Sequence, residues 1–402
     1  MKFASFLSLL FVSSSFSWKH DWSTALSSQF ADYGYSTLTD SQAQFVANHY
    51  SIVSLEKCTG PGPTEKNVWA TAAQLKAIKP SMIVMFYWAV DQQGLECYDA
   101  YTDYMKQPNF WLRDDNGNYI NNSAGVPLLD TTVSEARDWW VSIPLGGSTS
   151  PKANLIDGVL ADGVGSRCPP DLGSQRCLLY TNGKSTMIKQ LQALLDSVNN
   201  GTVIGNGIDM YANLPSGDNN FYTLKDMNGI MGEHFAVFES VLPNGNLNTS
   251  LVAEFLDLVS AAAELNKTVV IGTWPGLYIT PFNQDGWPSW PNQQQPNTTD
   301  GWRAALLLKH TFALAGFLTV ATETVFMQYE GWYNGLTQGV VECNDSPESC
   351  AAPLNWYSDL YKPLGAPLGK ATRVGNIYTR TFEHATSVLN LDNPDQSSIS
   401  WN

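Results

Sequence analysis

The sequence predicts an α/β protein: a (β/α)8 TIM barrel followed by a small C-terminal antiparallel β-subdomain. Short apolar runs alternate with helix-like stretches along most of the 402 residues, an order that favours a parallel sheet. Two of these runs, 155–163 and 227–235, carry a carboxylate beside a glycine where a buried strand would leave the sheet. The segments 373–383 and 386–391 instead alternate in polarity, which is typical of an antiparallel hairpin.

The predicted barrel elements follow one another in strand–helix order. The strand-like runs lie at 25–35, 51–56, 82–88, 155–163, 202–207, 227–235, 268–274 and 317–326. The helix-like stretches lie at 71–78, 134–140, 184–198, 251–265 and 301–315. The first strand signal is weak and the other seven are clear, and eight parallel strands close a barrel. A segment rich in Asn and Asp, 98–130, is an insertion after the third strand.

The N-terminus has the features of a secretory signal peptide. Residues 1–17 contain Lys2, the apolar run 3–12 and then small residues up to Ser17. The apolar run is too short to span a membrane, so we expect a secreted, extracellular protein. The barrel is then predicted to cover residues 18–355, and the C-terminal β-subdomain residues 356–402.

The six cysteines of a secreted chain are expected to form disulfides. Many pairings are possible in principle. The local spacings favour Cys58–Cys97, Cys168–Cys177 and Cys343–Cys350. Six sequons for N-glycosylation agree with a secretory route, and they lie at Asn121, Asn200, Asn248, Asn266, Asn297 and Asn344.

The charge balance argues against several classes of partner. With a net charge of −15 and only 22 Lys and Arg residues, the chain lacks the clustered basic side chains that nucleic acid requires. The same balance disfavours acidic membranes and polyanionic glycans. Aromatic residues make up 12% of the chain, including 14 Trp, and such side chains bind neutral sugar rings. We therefore expect a carbohydrate substrate, no nucleic-acid or membrane partner, no cofactor, no metal and a monomeric protein.

Asp162 and Glu233 are the predicted catalytic residues. Each lies where a strand ends, and the C-terminal ends of barrel strands form the catalytic face. Two carboxylates in such a place suggest glycoside hydrolysis, with Asp162 as nucleophile or base and Glu233 as acid. The alternative for each is a cap of the next helix or an ion pair, for example with Arg167. Asp157 opens its strand, so we expect it to be structural and to lie near the bottom of the barrel.

Further side chains at predicted strand ends are candidates for substrate binding. They are Glu56, Trp88, Asn206, His234, Trp274 and Gln328. A salt bridge to Lys57 is an equally good interpretation of Glu56, and a core position is the stronger one for His234. The two tryptophans and the neighbouring Tyr87 are interpreted either as sugar platforms or as core, and Asn206 as a ligand of a sugar hydroxyl.

Several segments resemble glycoside-hydrolase-type TIM barrels that are largely uncharacterised. These are 128–140, 156–163, 229–235 and the tail from Gly369 to Glu383, and the resemblance spans residues 45–391. The layout is also similar to α-galactosidase-like barrels, in which a nucleophilic Asp ends the fourth strand and the acid ends the sixth. That similarity implies these two roles for Asp162 and Glu233, and retention of configuration. The sequence departs from that group in having Glu rather than Asp as the acid, which leaves the sugar open.

The reading that these observations favour is a secreted glycoside hydrolase of a neutral oligo- or polysaccharide, with a two-carboxylate, retaining mechanism. One alternative is a catalytically inactive, lectin-like barrel that binds glycans. This alternative would be favoured if Asp162 and Glu233 faced away from a common cleft. Another secreted barrel activity, such as that of a phosphodiesterase, is a third reading, but its metal-dependent forms need more His ligands than the five His of this chain provide.

Overall fold

The computed structural model describes residues 17–33, 37–92, 94–146, 151–165, 168–206, 227–237, 240, 242, 246–273, 299–329 and 357–402. Eight parallel strands pair in chain order. They are β1 Phe30–Tyr33, β2 Ile52–Leu55, β3 Ile83–Ala89, β4 Gly158–Asp162, β5 Thr202–Asn206, β6 Gly229–Gly232, β7 Thr268–Thr273 and β8 Val325–Tyr329. A parallel bridge between Gln29 and Met327 brings β8 back to the start of β1. The predicted (β/α)8 barrel is therefore confirmed.

The helices that cover the barrel begin with local signals in the sequence. They are α1 Asp40–His49, α2 Glu65–Ile78, α3 Ala100–Tyr104, α4 Ser134–Ser142, α5 Ser174–Val198, α6 Thr249–Glu264 and α7 Thr299–Val320. Thr39 and Gln42 form a reciprocal capping box at the start of α1. Thr64 and Asn248 cap α2 and α6 with side-chain oxygens. Among the described residues, no helix is both long and apolar enough to cross a membrane.

The strands divide their side chains between the inside of the barrel and the layer under the helices. The inner cluster takes residues from every strand: Phe30, Ile52, Met85, Tyr87, Ala89, Leu160, Ile204, Met231, Val270 and Phe326. Trp18 joins this cluster at the N-terminal ends of the strands, and its backbone N–H donates to Thr268 Oγ1 at 3.1 Å. A Cβ on Gly158 would lie 2.6 Å from the Trp18 ring. Glycine at this position therefore lets Trp18 close the bottom of the barrel.

The eighth strand lies later in the chain than the sequence predicts. The expected strand covered 317–326, but Phe317 to Val320 form the last turn of α7, and β8 begins only at Val325. The end of α7 is buried between the barrel and the C-terminal sheet, with Phe317 and Leu318 almost completely inaccessible. A helix that is apolar on all sides has the same composition as a buried strand, which explains the error.

The C-terminal chain forms a separate antiparallel sheet, as predicted. Its strands are β9 Thr372–Val374, β10 Ile377–Thr381, β11 Ala385–Asn390 and β12 Ser398–Trp401, in the spatial order β12-β11-β10-β9. Arg380 is buried and joins this sheet to α7. Its guanidinium donates to the carbonyls of Leu318, Thr319 and Ala321 at 3.0, 3.3 and 2.7 Å. These acceptors lie at and just beyond the end of α7, where carbonyl groups have no partner within the helix.

Two of the expected disulfides are present. Cys58 is bonded to Cys97 and Cys168 to Cys177, which confirms both pairings. The third expected pair, Cys343–Cys350, lies outside the described residues, as do residues 1–16 of the predicted signal peptide.

Candidate active site

The two predicted catalytic carboxylates lie at neighbouring positions on the C-terminal face of the barrel. Asp162 is the last residue of β4, and Glu233 directly follows Gly232, the last residue of β6. Asn206 ends β5, the strand between them. The order of the strands thus places an amide between two carboxylates.

Asn206 bonds both carboxylates through a single nitrogen atom. Its Nδ2 lies 3.1 Å from Asp162 Oδ1 and 2.6 Å from Glu233 Oε2. The distance between Asp162 Oδ1 and Glu233 Oε2 therefore cannot exceed the sum of these two bond lengths. Because both amide hydrogens point at carboxylates, this nitrogen is not free to donate to a sugar hydroxyl. Asn206 thus bridges the two carboxylates and also lines the cavity beside them, and its role as a ligand of a sugar hydroxyl stays a prediction.

Asp162 accepts two further hydrogen bonds. The Tyr87 hydroxyl donates to Oδ2 at 2.6 Å, and the backbone N–H of Gly163 donates to Oδ1 at 2.8 Å. Gly163 has φ +67°, a conformation that favours glycine and turns its N–H back onto the carboxylate. Burial raises the pKa of Tyr87 well above its ordinary value, so the hydroxyl stays a donor. Three donors around one carboxylate stabilise its negative charge.

Glu233 has a different environment. Burial raises its pKa to about 7, and the negative charges of Asp162 and Glu56 act in the same direction. The hydrogen bond from Asn206 and the nearby His234 oppose this increase. His234 Nε2 lies 3.7 Å from Glu233 Oε2. At neutral pH a substantial fraction of Glu233 is therefore protonated, as a general acid requires.

Both carboxylates line one cavity, which we call the active-site cavity. Its volume is about 580 Å³, a size typical of small-molecule sites. Its wall comes from the segments after β3 and β4 and includes Asp91, Asn121, Asn122, Ser123, Leu128, Cys168, Pro169, Pro170, Asp171, Tyr180 and Lys184. The disulfide Cys168–Cys177 packs against the apolar cluster that joins these two segments. This wall thus combines polar side chains with apolar ones such as Leu128, Pro169 and Pro170.

Lys184 is a residue of this site that the sequence did not single out. It lies on α5 and is buried, and its ammonium donates to the carbonyls of Gly163 and Gly165 at 3.0 and 3.1 Å. Burial lowers the pKa of Lys184 to about 8. Its bonds hold the turn that follows Asp162. A lysine at the first residue of a predicted helix gives no sequence signal for such a role.

The other candidates for substrate binding have mixed positions. Glu56 is buried and forms an ion pair with Lys57 at 2.6 Å, as its alternative interpretation expected. The Lys57 ammonium also lies 4.1 Å from the centre of the Tyr87 ring, which places this pair beside the site. Gln328 is buried on β8, and its Oε1 has no hydrogen-bond partner among the residues that the structure describes. Trp274 lies outside the described residues.

The structure corrects the expectation for Trp88 as a sugar platform. Its side chain is only 2% exposed and packs against Tyr98, Trp139 and Trp140 in the layer outside the strands. The indole N–H donates to the Trp140 carbonyl. Successive side chains of a strand point to opposite faces, so Tyr87 faces the inside of the barrel and Trp88 faces the helices.

Within the part of the chain that the structure describes, no group of three or more His, Cys, Asp or Glu side chains is arranged to hold a metal ion. The side chains that bond the two carboxylates or the turn after Asp162 are an amide, a phenol and an ammonium group. These groups can transfer protons and stabilise charge.

A parallel barrel with two carboxylates on its C-terminal face is typical of TIM-barrel glycoside hydrolases. The chain belongs to the family described as hypothetical glycosyl hydrolase family 15 (GHL15), whose model matches residues 76–386. This membership confirms the predicted resemblance to glycoside-hydrolase-type barrels. A comparison with curated proteins found no match.

Several solved structures have a similar fold. The glycoside hydrolase domain of PelA from Pseudomonas aeruginosa is 12% identical, with a TM-score of 0.45 over 77% of this chain and 96% of that one. An α-amylase from Geobacillus thermoleovorans is 10% identical, with a TM-score of 0.46 over 91% and 86% of the two chains. The GH36 α-galactosidase AgaA from Geobacillus stearothermophilus is 11% identical, with a TM-score of 0.42 over 90% of this chain and 46% of that one.

Proposed function

We propose that this protein is a secreted, retaining glycoside hydrolase in which Asp162 is the nucleophile and Glu233 the acid and base. The observation that carries the proposal is the bridge by Asn206, which holds the two carboxylates close together at the edge of one cavity. A lectin-like barrel has no need of two carboxylates held in this way. Their common cavity therefore favours hydrolysis over binding alone.

The spacing supports retention of configuration. Retaining enzymes have their carboxyl groups about 5–5.5 Å apart, whereas inverting enzymes leave about 6.5–9.5 Å for a water molecule. The bonds from the shared Asn206 nitrogen, 3.1 and 2.6 Å long, keep one oxygen of Asp162 and one of Glu233 closer than the inverting range. The Asn206 nitrogen, rather than a water, bridges those two oxygens.

The two environments suit the two roles. Protonated Glu233 would donate its proton to the leaving glycosidic oxygen while ionised Asp162 attacks the anomeric carbon and forms a covalent glycosyl ester. Ionised Glu233 would then take a proton from water, which attacks the same carbon and releases Asp162. Tyr87 and Asn206 would orient the Asp162 carboxylate for its attack through their hydrogen bonds.

The proposed substrate is a neutral oligo- or polysaccharide. The wall of the active-site cavity presents amide, hydroxyl and carboxylate groups together with the ring of Tyr180, and polar groups of this kind recognise sugar hydroxyls. The two disulfides fit the proposed secretion, because such bonds persist in oxidising compartments.

A hydrolysis screen of the purified protein on a glycan array would test the proposal. For any glycan that is cleaved, proton NMR of the first product formed should show the anomer with the configuration of the substrate. The opposite anomer would overturn retention. Binding to glycans without release of any product would favour the lectin-like alternative.

A further inference from the structure

One of the sequons forms part of the wall of the active-site cavity. Asn121 and Ser123 of the sequon Asn121-Asn122-Ser123 are exposed, and both line the cavity that also contains Asp162 and Glu233. In the described structure the Asn121 carboxamide makes no hydrogen bond. Asn121 is thus an exposed residue on the wall of the cavity that both carboxylates line.

The residue in the middle of this sequon fixes the position of the turn. The Asn122 oxygen accepts hydrogen bonds from the backbone N–H groups of Ala124 and Val126 at 3.0 Å. Its Nδ2 donates to the carbonyl of Gln92 at 3.1 Å, just after β3. Any group attached to Asn121 would therefore be held at one place on the cavity wall.

The other described sequons lie elsewhere. Asn200 and Asn266 precede β5 and β7, so they belong to the bottom face of the barrel, and both are exposed. Asn248 caps α6 with its side-chain oxygen. Among the described sequons, only Asn121 lines the active-site cavity.

We propose that Asn121 carries an N-linked glycan that narrows the active-site cavity and slows the entry of large molecules. In the secretory pathway the Asn121 amide nitrogen would attack the first sugar of a lipid-linked oligosaccharide. This step forms the N-glycosidic bond, breaks the bond to the lipid diphosphate and releases one proton. The resulting group is bulky and polar. Occupancy of Asn121 rests on the proposed secretion and control of substrate size on the proposed hydrolysis, whereas restricted access to the cavity by an attached glycan needs no catalytic activity.

Occupancy is tested on the full chain secreted from a eukaryotic host. Glycopeptide mass spectrometry should find a glycan on Asn121, and Asn121→Gln and Ser123→Ala should each remove that glycan alone. Ser123→Thr keeps the sequon and should keep the glycan. An unmodified Asn121 in a protein that carries a glycan at Asn266 would overturn the proposal.

Access is tested without a substrate, by activating exposed carboxylates with a carbodiimide and coupling them to an amine at the end of a long polyethylene glycol chain, a bulky reagent that the glycan should exclude. Asp171 is exposed on the cavity wall, and Asp257 is exposed on α6 away from it. Asn121→Gln should speed the labelling of Asp171 several-fold and leave that of Asp257 unchanged. Asn266→Gln, the matched control on the bottom face, should change neither rate. Equal labelling of Asp171 with and without the Asn121 glycan would overturn the restriction.

The labelling result separates this inference from the proposed function. If Asp171 is protected by the glycan but no glycan substrate is ever cleaved, the restriction holds and the hydrolase proposal fails. If a polysaccharide is cleaved, its KM should fall several-fold in Asn121→Gln and stay unchanged in Asn266→Gln. An unchanged KM in Asn121→Gln would show that the glycan does not control substrate entry.

Discussion

At the residue scale, the site depends on three side chains that bond the carboxylates or the turn beside them. Asn206 bridges Asp162 and Glu233, and the Tyr87 hydroxyl donates to Oδ2 of Asp162. Lys184 donates to a carbonyl of the turn that follows Asp162. Each acts through a short hydrogen bond from a buried or half-buried group. Substitutions here should therefore change catalysis more than they change the stability of the fold.

Replacement of the two carboxylates should give distinct kinetic defects. Asp162→Asn should lower kcat by about 10³-fold or more, because the nucleophile is lost. Glu233→Gln should impair natural glycans but spare kcat/KM for 2,4-dinitrophenyl glycosides to within about 10-fold, because such leaving groups need no proton in the first step. Steady-state kinetics on both substrate types, with circular dichroism as the control for folding, checks this. Wild-type rates of both variants on a natural glycan would disprove the assignment.

The pH profile should respond in opposite directions to two substitutions around Glu233. The acid works while Glu233 is protonated, so activity should decline as the pH rises through about 7. Asn206→Ala removes a hydrogen bond that lowers the pKa of Glu233, so the alkaline limb of kcat/KM should move to higher pH. Glu56→Gln removes a negative charge that raises this pKa, so the limb should move to lower pH. Shifts in the same direction, or none, would count against Glu233 as the acid.

At the element scale, the alternation of a strand decides which aromatic residue serves the site. Tyr87 and Trp88 are adjacent in β3, yet only Tyr87 contacts Asp162. Met85 shares the inner cluster with Tyr87, and Phe86 shares the outer cluster with Trp88. The sequence therefore contained the signal that separates the two faces.

This separation predicts a clear contrast between neighbouring variants. Trp88→Ala should destabilise the protein by about 3–5 kcal/mol, because it leaves a cavity in a packed aromatic cluster. Tyr87→Phe keeps the ring and should leave the melting temperature almost unchanged, while kcat falls about 10-fold through loss of the bond to Asp162. Thermal melting and kinetics on both proteins check this. A stable Trp88→Ala variant with a raised KM would restore Trp88 as a sugar platform.

The sequence was informative where a strand meets its loop. The pattern of an apolar run followed by a carboxylate located Asp162 at the end of β4 and Glu233 directly after β6, because such strand ends are marked by glycine and polar residues. The sequence was less informative where a buried element is apolar on all sides and shows no hydrophobic periodicity, as at the boundary between α7 and β8. It could not reveal Lys184, since the bonds of this residue depend on how α5 packs over the turn after β4.

At the scale of the whole molecule, the C-terminal sheet is bonded to the barrel through buried polar contacts. Arg380 satisfies carbonyls at the end of α7 and also the carbonyl of Gly369. Tyr378, Phe382, Leu389 and Leu391 of the sheet region belong to the same apolar cluster as the barrel helices. We therefore expect the sheet and the barrel to unfold together.

Arg380 should be far more important for stability than an exposed arginine nearby. Arg380→Ala leaves several buried carbonyls without a donor and should cost about 2–4 kcal/mol. Arg373→Ala, on the exposed strand β9, should cost no more than about 0.5 kcal/mol. Urea unfolding followed by both fluorescence and circular dichroism should give one transition in each protein. Equal stabilities of the two variants would show that the bonds of Arg380 do not stabilise the packing of the C-terminal sheet against α7.

The contact between Trp18 and β7 has a consequence for synthesis of the chain. Trp18 is among the first described residues to leave the ribosome, yet its hydrogen-bond partner Thr268 follows 250 residues later. The bottom of the barrel therefore cannot close until most of the chain has been translated. The start of β1 can pair with β8 only later still. Such long-range closure is slow and exposes apolar strands in the meantime. Nascent chains should consequently depend on chaperones until the ribosome has delivered the final strand of the barrel.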